Sequence, residues 1–259
     1  MRGLGEVAER LRRATVQVRA RRRERGSGSG VVWEPSGLIM TNNHVARAPE
    51  LEVELWDGRT ARARVTSRDT RRDLAALRID AGPLEAAPTG DSAAVRPGEI
   101  VIAVGNPFGF AGALSSGTVH SIAGGWIRSA VQLAPGNSGG PLANARGEVI
   151  GINTAILDGL GLAVPSNTAR DFLVRGPRPA LGVTMRPVHL GLLLLEVLPG
   201  GAAERANLRP GDILLTRVDD LNTALDSGRD LLRLHFLRGE RRTVREAVVR
   251  LAAPVEAAA

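Results

Sequence analysis

The sequence predicts a mainly β protein followed by a smaller α+β domain, and two observations lead to this fold class. Between residues 26 and 172, apolar runs of four to eight residues are separated by Gly, Pro, Asn and Asp at intervals of roughly ten residues, which is typical of all-β proteins. The stretch Arg175-Gly-Pro-Arg-Pro179 then breaks any helix and forms a rigid linker. New short strands begin at Leu181, so we expect a second domain there.

Composition places the chain among globular proteins and excludes several kinds of chemistry. Its 259 residues are long enough for two domains, and 43% are hydrophobic while 24% are charged. The absence of Cys excludes disulfides, thiol nucleophiles and iron–sulfur clusters. No apolar run approaches the roughly 18 to 20 residues that are needed to span a bilayer.

The positive charge is concentrated at the N-terminus. Nine Arg and three Glu in the first 25 residues account for +6 of the net charge of +7. All 34 basic residues are Arg, which indicates a coding bias more than a binding surface. Contact of this segment with nucleic acid or an anionic membrane is therefore the less favoured interpretation, because runs of charge are usually solvated surface.

Residues 1–25 are interpreted as a basic arm. The helical spacing of Leu4, Val7 and Leu11 predicts a short amphipathic helix that leads into a strand over Thr15–Ala20, and the cluster Arg21–Arg25 predicts a hairpin tip. The segment contains no secretory signal, so we expect a cytoplasmic protein as written, and export only if a leader has been removed.

The remaining elements follow from the same patterns. A helix over Asn167–Val174 closes the first domain. In the second domain a short helix is expected within Leu221–Asp230, although Gly228 weakens it, and a strand is expected over Leu231–Leu237. The clearest strands are Gly30–Trp33, Leu38–Thr41, Glu52–Leu55, Leu74–Ile79, Ile100–Val104, Val149–Asn153 and Leu162–Val164. These elements predict a domain over 26–175, a linker over 176–179 and a second domain over 180–259.

The strongest chemical signal is Ser138, which stands in the Gly-rich turn Ala134-Pro-Gly-Asn-Ser-Gly-Gly-Pro-Leu142. A Ser nucleophile needs an exposed hydroxyl and nearby backbone amides that converge on one point, and glycine permits the backbone angles for this.

A Ser nucleophile also needs a base that an acid orients. His44 follows the strand Leu38–Thr41 and Asp73 begins the strand Leu74–Ile79, so both stand at strand ends, whereas His120 lies in an alternating run and is interpreted as a strand-face histidine.

Other interpretations of these motifs are weaker. The Gly136-x-Ser138-x-Gly140 pattern also matches the nucleophile elbow of α/β-hydrolases, but there a helix follows the Ser, and the acid and the His come later in the chain. The Gly-rich run 26–30 leads into a strand and lacks the Lys of a phosphate-binding loop. His and carboxylate residues show no metal-ligand spacing, so neither a metal nor another cofactor is expected.

Several motifs in this order make the chain resemble the HtrA or Deg family of trypsin-like serine proteases with a C-terminal PDZ domain. The matching stretches are Gly26-Ser-Gly-Ser-Gly-Val-Val, Leu38-Ile-Met-Thr-Asn-Asn-His-Val, Asp69-Thr-Arg-Arg-Asp-Leu-Ala-Ala-Leu, Gly105-Asn-Pro-Phe-Gly, Pro135-Gly-Asn-Ser-Gly-Gly-Pro-Leu and Val164-Pro-Ser-Asn. The resemblance implies two antiparallel six-stranded barrels, with the catalytic residues in the cleft between them.

The same resemblance implies roles for individual residues. His44 would be the general base, Asp73 would orient it and Ser138 would be the nucleophile. The backbone amides of Gly136, Asn137 and Ser138 would form the oxyanion hole. Leu133 and the strand residues Ile152, Asn153, Thr154, Ala155 and Ile156 would line a primary specificity pocket for small aliphatic side chains. In the PDZ-like domain, Ala180, Leu181, Gly182 and Val183 would form the carboxylate-binding loop.

The function that follows is a serine endopeptidase without cofactor that cleaves unfolded or exposed segments through an acyl-enzyme. The resemblance also implies a C-terminal peptide ligand for the second domain and a homo-oligomer such as a trimer. The alternative is a protease-like chaperone or adaptor that holds peptides and has little activity.

Overall fold

The computed structural model describes residues 3–20, 27–48, 50–106, 112–176, 180–227, 229–239 and 241–251. The chain divides into two compact units, Met1–Pro177 and Arg178–Ala259. The described part of the first unit forms two closed six-stranded barrels, and that of the second forms a five-stranded sheet. The mainly β fold class with two barrels is thus confirmed. The predicted hairpin tip at Arg21–Arg25, linker residues 177–179 and Gly228 lie outside the described residues.

The first barrel contains six antiparallel strands. They are β1 (Thr15–Ala20), β2 (Ser27–Glu34), β3 (Leu38–Thr41), β4 (Leu51–Glu54), β5 (Thr60–Asp69) and β6 (Leu74–Ile79). Their order around the barrel is β1-β2-β3-β6-β5-β4, and the pairing of β1 with β4 closes it. Buried branched residues such as Val18, Ile39, Val53 and Leu77 fill the interior.

The second barrel repeats this arrangement later in the chain. Its strands are β7 (Ile100–Gly105), β8 (Ala113–Ala123), β9 (Trp126–Ser129), β10 (Pro141–Asn144), β11 (Val149–Leu157) and β12 (Leu160–Pro165). They follow the order β10-β11-β12-β9-β8-β7, and β10 pairs with β7 to close the barrel. Val101, Ile127, Leu142 and Ile150 are among the residues that fill its interior.

A continuous apolar core joins the two barrels. It contains Met40 and Leu74 from the first barrel and Ile102 and Ile152 from the second, each at most 2% exposed. The helices α1 (Leu4–Arg13) and α2 (Ser166–Arg175) pack into the same core. Because protein interiors are close-packed, this core holds loops of the two barrels in a definite relation to each other.

The N-terminal segment, which the sequence predicts as a basic arm, contributes directly to the first unit. Helix α1 buries Val7 and Leu11, which are one turn apart on one face, and β1 is a strand of the first barrel. Residues 4–20 are therefore structural parts of that unit. None of the described helices is long and apolar enough to cross a membrane.

The second unit contains one sheet and two helices within its described residues. The sheet consists of β13 (Val183–Val188), β14 (Gly191–Val197), β15 (Ile213–Leu214), β16 (Leu231–Arg238) and β17 (Arg241–Arg250) in sequence order. The helices are α3 (Ala202–Arg205) and α4 (Val218–Asp226). Helix α4 begins three residues before the predicted segment, and its N-terminal turn carries Asp219 and Asp220, which complement the helix dipole.

An ion pair in the second unit provides a test of its stability. Asp212 is 1% exposed, and its two oxygens accept hydrogen bonds of 2.7 Å from Nε and Nη2 of Arg238. Replacing Asp212 with Asn leaves the guanidinium without a counter-charge, so we expect the free energy of unfolding to fall by about 3 kcal/mol. Amide hydrogen exchange of β14 and β16 in the full chain measures this effect.

A more exposed pair in the same sheet serves as the control. Arg233 and Glu246 lie 2.9 Å apart with 73% and 41% of their side chains exposed. Glu246→Gln is expected to change stability by no more than about 0.5 kcal/mol, because exposed pairs contribute little. Equal protection of the β14 and β16 amides from hydrogen exchange in Asp212→Asn and Glu246→Gln would show that the Asp212–Arg238 pair does not stabilise the unit.

Candidate active site

The His44 side chain lies in the turn that follows β3, directly beside the start of β6. The side-chain amide of Asn42 and the backbone amide of Asn43 both donate to the carbonyl oxygen of Asp73, at 2.9 and 3.2 Å. The His44 amide donates to Asp73 Oδ1 at 2.9 Å, and His44 Nδ1 lies 2.6 Å from Asp73 Oδ2. Two loops of the first barrel therefore meet through this His–Asp pair.

The Asp73 backbone turns sharply to present its carboxylate. Its φ of 54° lies in the left-handed region, which Asp tolerates better than most residues. The hydroxyl of Thr154, from the second barrel, donates to Asp73 Oδ2 at 2.5 Å. Partial burial raises the pKa of the Asp73 carboxyl, but the hydrogen bonds from the His44 side chain, Thr154 and the His44 amide outweigh it, and the pKa is lowered overall. The carboxylate is therefore ionised at neutral pH.

Ser138 lies in the loop between β9 and β10, where residues of both barrels form hydrogen bonds with it. Its hydroxyl donates to the carbonyl oxygen of Thr154 at 3.0 Å. Its own carbonyl accepts the amide of Ser29 from β2 at 2.7 Å. The next residue, Gly139, has a φ of 89°, and a Cβ there would lie 2.0 Å from the Ser29 carbonyl oxygen, so only glycine fits.

Thr154 connects Asp73 to Ser138. Its hydroxyl donates to the Asp73 carboxylate while its carbonyl accepts the Ser138 hydroxyl, so a single residue contacts both side chains. The pairing of β11 with β12 shifts register between Asn153 and Ala155, which makes Thr154 the extra residue of a β-bulge. Bulges redirect side chains and leave backbone groups unpaired, which explains how both polar groups of Thr154 face the site.

The hydrogen bonds of the described residues do not yet join Ser138 to His44. The Ser138 hydroxyl instead donates to the carbonyl of Thr154. Catalytic hydrogen bonds are often long in a free enzyme and tighten when substrate binds. Asp73 and Ser138 are thus both hydrogen-bonded to Thr154, and His44 is hydrogen-bonded to Asp73.

The backbone amides around Ser138 divide into free and bound groups. The Asn137 amide donates to the carbonyl of Ala134 at 3.0 Å, so it is engaged in this structure. Within the described ranges, the amides of Gly136 and Ser138 donate to no protein acceptor. Of the three donors predicted from the resemblance, two therefore remain available to an oxyanion.

The predicted pocket residues differ in how much surface they offer. Ile152 and Asn153 are 0% and 1% exposed and belong to the interior, so they offer no surface to a substrate. Ala155 and Ile156, by contrast, are exposed at the end of β11. Leu133 packs on Gly161 of β12, where an added Cβ would lie 3.1 Å from Leu133 Cδ1.

The predicted carboxylate-binding loop lies immediately before β13 in the second unit. Leu181 is 3% exposed, and its carbonyl accepts the amide of Ala203. Gly182 has a φ of 73°, and its carbonyl accepts the amide of Leu198. Ala180 precedes these residues and Val183 begins the strand. Leu181 therefore anchors the loop in the core, and backbone amides are the groups left for a ligand.

Sequence reasoning missed two polar contributors. Thr154 was assigned only to the pocket, because the bulge that turns its hydroxyl toward Asp73 has no local sequence signal. The Gly-rich motif that contains Ser29 indicates no role for it, yet its hydroxyl donates to Gly136 in the loop that carries Ser138. Among the residues that the structure describes, no group of three or more His, Asp or Glu residues could hold a metal ion.

Two six-stranded barrels, with a His–Asp pair on one and a Ser in a glycine-rich turn on the other, define the class of trypsin-like serine peptidases. A family model described as a trypsin-like peptidase domain matches residues 28–152. The chain is 36% identical to a putative serine protease, HhoA, of Synechocystis, over 88% of this chain and 72% of that protein. The chain belongs to the HtrA/DegP family of serine proteases.

Further comparisons agree with this assignment. A probable periplasmic DegP-like serine endoprotease of Rickettsia conorii is 36% identical over 74% of this chain, but the match covers only 45% of that relative. Matches to other relatives cover 56%, 57% and 48% of their length, so the chain spans about half the length of these curated relatives. The crystal structure of a serine endoprotease from Yersinia pestis superposes with a TM-score of 0.69 at 26% identity, over 96% of this chain and 97% of that one.

Proposed function

We propose that this protein hydrolyses peptide bonds in unfolded or exposed segments, with Ser138 as nucleophile, His44 as general base and Asp73 as the group that orients His44. The observation that carries the proposal is the Asp73 carboxylate, which accepts hydrogen bonds from His44 and from Thr154, while Thr154 also accepts the Ser138 hydroxyl. An imidazole that is oriented by a partly buried acid, with a serine hydroxyl bonded to the same threonine as that acid, supports acyl-transfer chemistry.

The reaction proceeds in two steps. Ser138 Oγ attacks the substrate carbonyl carbon while its proton passes to His44 Nε2, and Asp73 stabilises the imidazolium without taking the proton. His44 then protonates the leaving amine, the C–N bond breaks and an acyl-enzyme remains. Water, deprotonated by the same imidazole, attacks the ester and restores the Ser138 hydroxyl.

The free amides of Gly136 and Ser138 supply the electrostatic part of the proposal. An oxyanion develops on the substrate carbonyl oxygen only in the transition state, so donors aimed at that position accelerate the reaction. Each donor of this kind contributes about 3 kcal/mol to transition-state stabilisation.

Labelling with a fluorophosphonate probe tests the proposal directly. Such probes react only with an activated serine hydroxyl, so we expect stoichiometric labelling of Ser138 in the folded full chain. A protein that only holds peptides, the alternative function, would bind unfolded polypeptide and remain unlabelled. Folded protein that binds peptide without labelling would therefore favour the binding module.

We further propose a preference for small aliphatic side chains at the residue before the cleaved bond. Leu133 lies against Gly161 and restricts the space beside β12. Leu133→Ala removes this restriction, so we expect kcat/KM for a Phe substrate to rise about tenfold relative to the matching Val substrate. Leu114, 47% exposed on β8, provides the control, because Leu114→Ala should leave this ratio unchanged. An unchanged ratio in Leu133→Ala would place the pocket elsewhere.

For the second unit we propose binding of a peptide C-terminus beside β13. That strand is at one end of the sheet order and can accept an added strand. In the Leu181–Gly182 turn before it, both carbonyls are bonded, while the two amides donate to no backbone carbonyl of the described loops. A peptide with a free carboxylate should bind more tightly than its amide-capped form. A homo-trimer remains a prediction from the family resemblance.

A further inference from the structure

We propose that Ser29 is a positioning residue for the oxyanion hole, which its hydroxyl holds in shape through the Gly136 carbonyl. Ser29 belongs to β2 of the first barrel, and its Oγ donates to Gly136 O at 2.7 Å. This inference deepens the proposed function and rests on it, because it concerns the same acyl-transfer site. It adds a residue that contacts neither the substrate nor the His–Asp pair.

The direction of the Ser29 hydroxyl is fully determined. A hydroxyl has one proton to donate and two lone pairs that accept. Ser29 Oγ accepts the backbone amide of Asn106 at 2.8 Å and the Asn106 side-chain amide at 3.2 Å. Because both lone pairs are occupied, the single hydroxyl proton points to the Gly136 carbonyl. The two donors also polarise the hydroxyl and strengthen that bond.

The Gly136 carbonyl belongs to the peptide group that lies between the two free amides. The oxygen of this group is held by Ser29, and its N–H, on Asn137, is held by the Ala134 carbonyl at 3.0 Å. The amide of Gly136 precedes this group and the amide of Ser138 follows it. Rotation about either of the two bonds that flank the central peptide changes the angle between the Gly136 and Ser138 amides, so holding this peptide keeps the two proposed oxyanion donors convergent.

The hydrogen-bonded group of Ser29, Asn106 and the Gly136 carbonyl, which we call the clamp, is rigid because its two side chains are buried and bonded to both barrels. Ser29 is 0% exposed and Asn106 is 4% exposed. Asn106 follows β7, and its side chain donates to the Val16 carbonyl in β1 at 2.9 Å while accepting the Gly112 amide at 2.9 Å. The Ser29 hydroxyl therefore fixes the position of the loop that carries Ser138 relative to both barrels.

Removal of the hydroxyl has a specific kinetic consequence. In Ser29→Ala, the backbone amide of Ser29 still donates to Ser138 O, and its carbonyl still accepts the Thr41 hydroxyl. The Gly136 carbonyl loses its hydroxyl donor and the Asn106 backbone amide loses its acceptor, while the Asn106 side-chain amide keeps its bond to the Val16 carbonyl. The central peptide therefore gains freedom to rotate. Because the oxyanion exists in the transition state and not in the bound substrate, the change lowers kcat and leaves KM nearly unchanged.

The experiment compares Ser29→Ala with Ser166→Ala. Ser166 is also 0% exposed, and its hydroxyl donates to the Gly90 carbonyl at 2.8 Å, far from the catalytic loop in sequence and bonding. Both variants lose a buried hydroxyl-to-carbonyl bond, but Ser29→Ala also removes the acceptor of the Asn106 amides and should lose more thermal stability. The rates are therefore compared at a temperature where both variants are folded. We expect kcat of Ser29→Ala to fall about tenfold to a hundredfold, with KM within about twofold, and kcat of Ser166→Ala to stay at the wild-type value.

Two further measurements separate positioning from general damage. The pH dependence of kcat/KM should keep its wild-type midpoint in Ser29→Ala, because His44 and Asp73 are untouched. Ser29→Cys retains volume and a weak donor, and should recover part of the lost kcat. Equal kcat in Ser29→Ala and Ser166→Ala, or a shifted pH midpoint, would overturn the clamp. Failure of the proposed function would look different, since the wild-type protein itself would then neither label nor hydrolyse.

Discussion

Replacement of Ser138 with Ala is expected to lower kcat by about 10⁶-fold and to abolish fluorophosphonate labelling. The hydroxyl supplies the attacking oxygen, and neither His44 nor the amides of the loop can replace it. The residual rate should still exceed that of water, because the oxyanion donors and substrate binding remain. Hydrolysis of unfolded casein, measured on folded protein, gives the rate.

A surface Ser–His contact elsewhere in the chain provides the matched control for Ser138. His120 Nδ1 lies 3.3 Å from the hydroxyl of its neighbour Ser121 on the surface of β8. Within the described residues this histidine donates no hydrogen bond to a carboxylate that would orient it, so Ser121→Ala should retain wild-type activity. The double variant Ser138→Ala with His44→Ala should be no slower than Ser138→Ala alone, since the residues act as a unit. Unchanged casein cleavage by Ser138→Ala would refute the assignment of the nucleophile.

Asp73→Asn is expected to lower kcat by about 10⁴-fold. The carboxylate accepts the Nδ1 proton of His44 and thereby leaves Nε2 free to take the Ser138 proton. An amide in its place can donate to Nδ1 and favour the opposite tautomer, so the base is lost although the geometry is retained. The measurement is the steady-state rate with folded variant protein, followed by circular dichroism to show that the barrels are intact.

The lowered pKa of Asp73 sets the pH range of this effect. Hydrogen bonds to the carboxylate keep its pKa below the usual value of 3.8, so Asp73 stays mainly ionised as the pH falls from neutral to about 4. Any loss of wild-type activity in that range therefore has a cause other than neutralisation of Asp73.

Asp91→Asn is the matched control for Asp73. The Asp91 carboxylate also has a lowered pKa, from the Asn167 side chain and the Ala93 amide, but it lies outside the site. Its replacement should leave kcat unchanged. Comparable rates for Asp73→Asn and the wild-type protein would show that His44 needs no carboxylate.

Strand prediction succeeded where buried residues are consecutive. Strand β3 is buried at all four positions and was predicted with its observed bounds, as was β6. Strand β5 was missed because its residues alternate between Ala and Arg with only one fully buried position, which a period-two search for apolar residues does not detect. Helix α4 starts earlier than expected because polar residues form its first turn.

Prediction of the site residues also succeeded for local features and failed for features that depend on distant residues. The order of His44, Asp73 and Ser138 and the need for glycine after Ser138 are readable from local motifs, because turns and strand ends have sequence signals. The engagement of the Asn137 amide and the burial of Ile152 and Asn153 are not readable, because they depend on neighbours that are distant in the chain.

The sequence by itself determined the fold class, the family and the residue types that the chemistry needs, since these depend on local periodicity and on motifs. Only the tertiary structure decided that Thr154 binds both Asp73 and Ser138, and that Ser29 holds the Gly136 carbonyl. The physical reason is that a hydrogen bond depends on distance and direction. A β-bulge and the packing of two barrels set both of these, and neither feature is encoded at a single position.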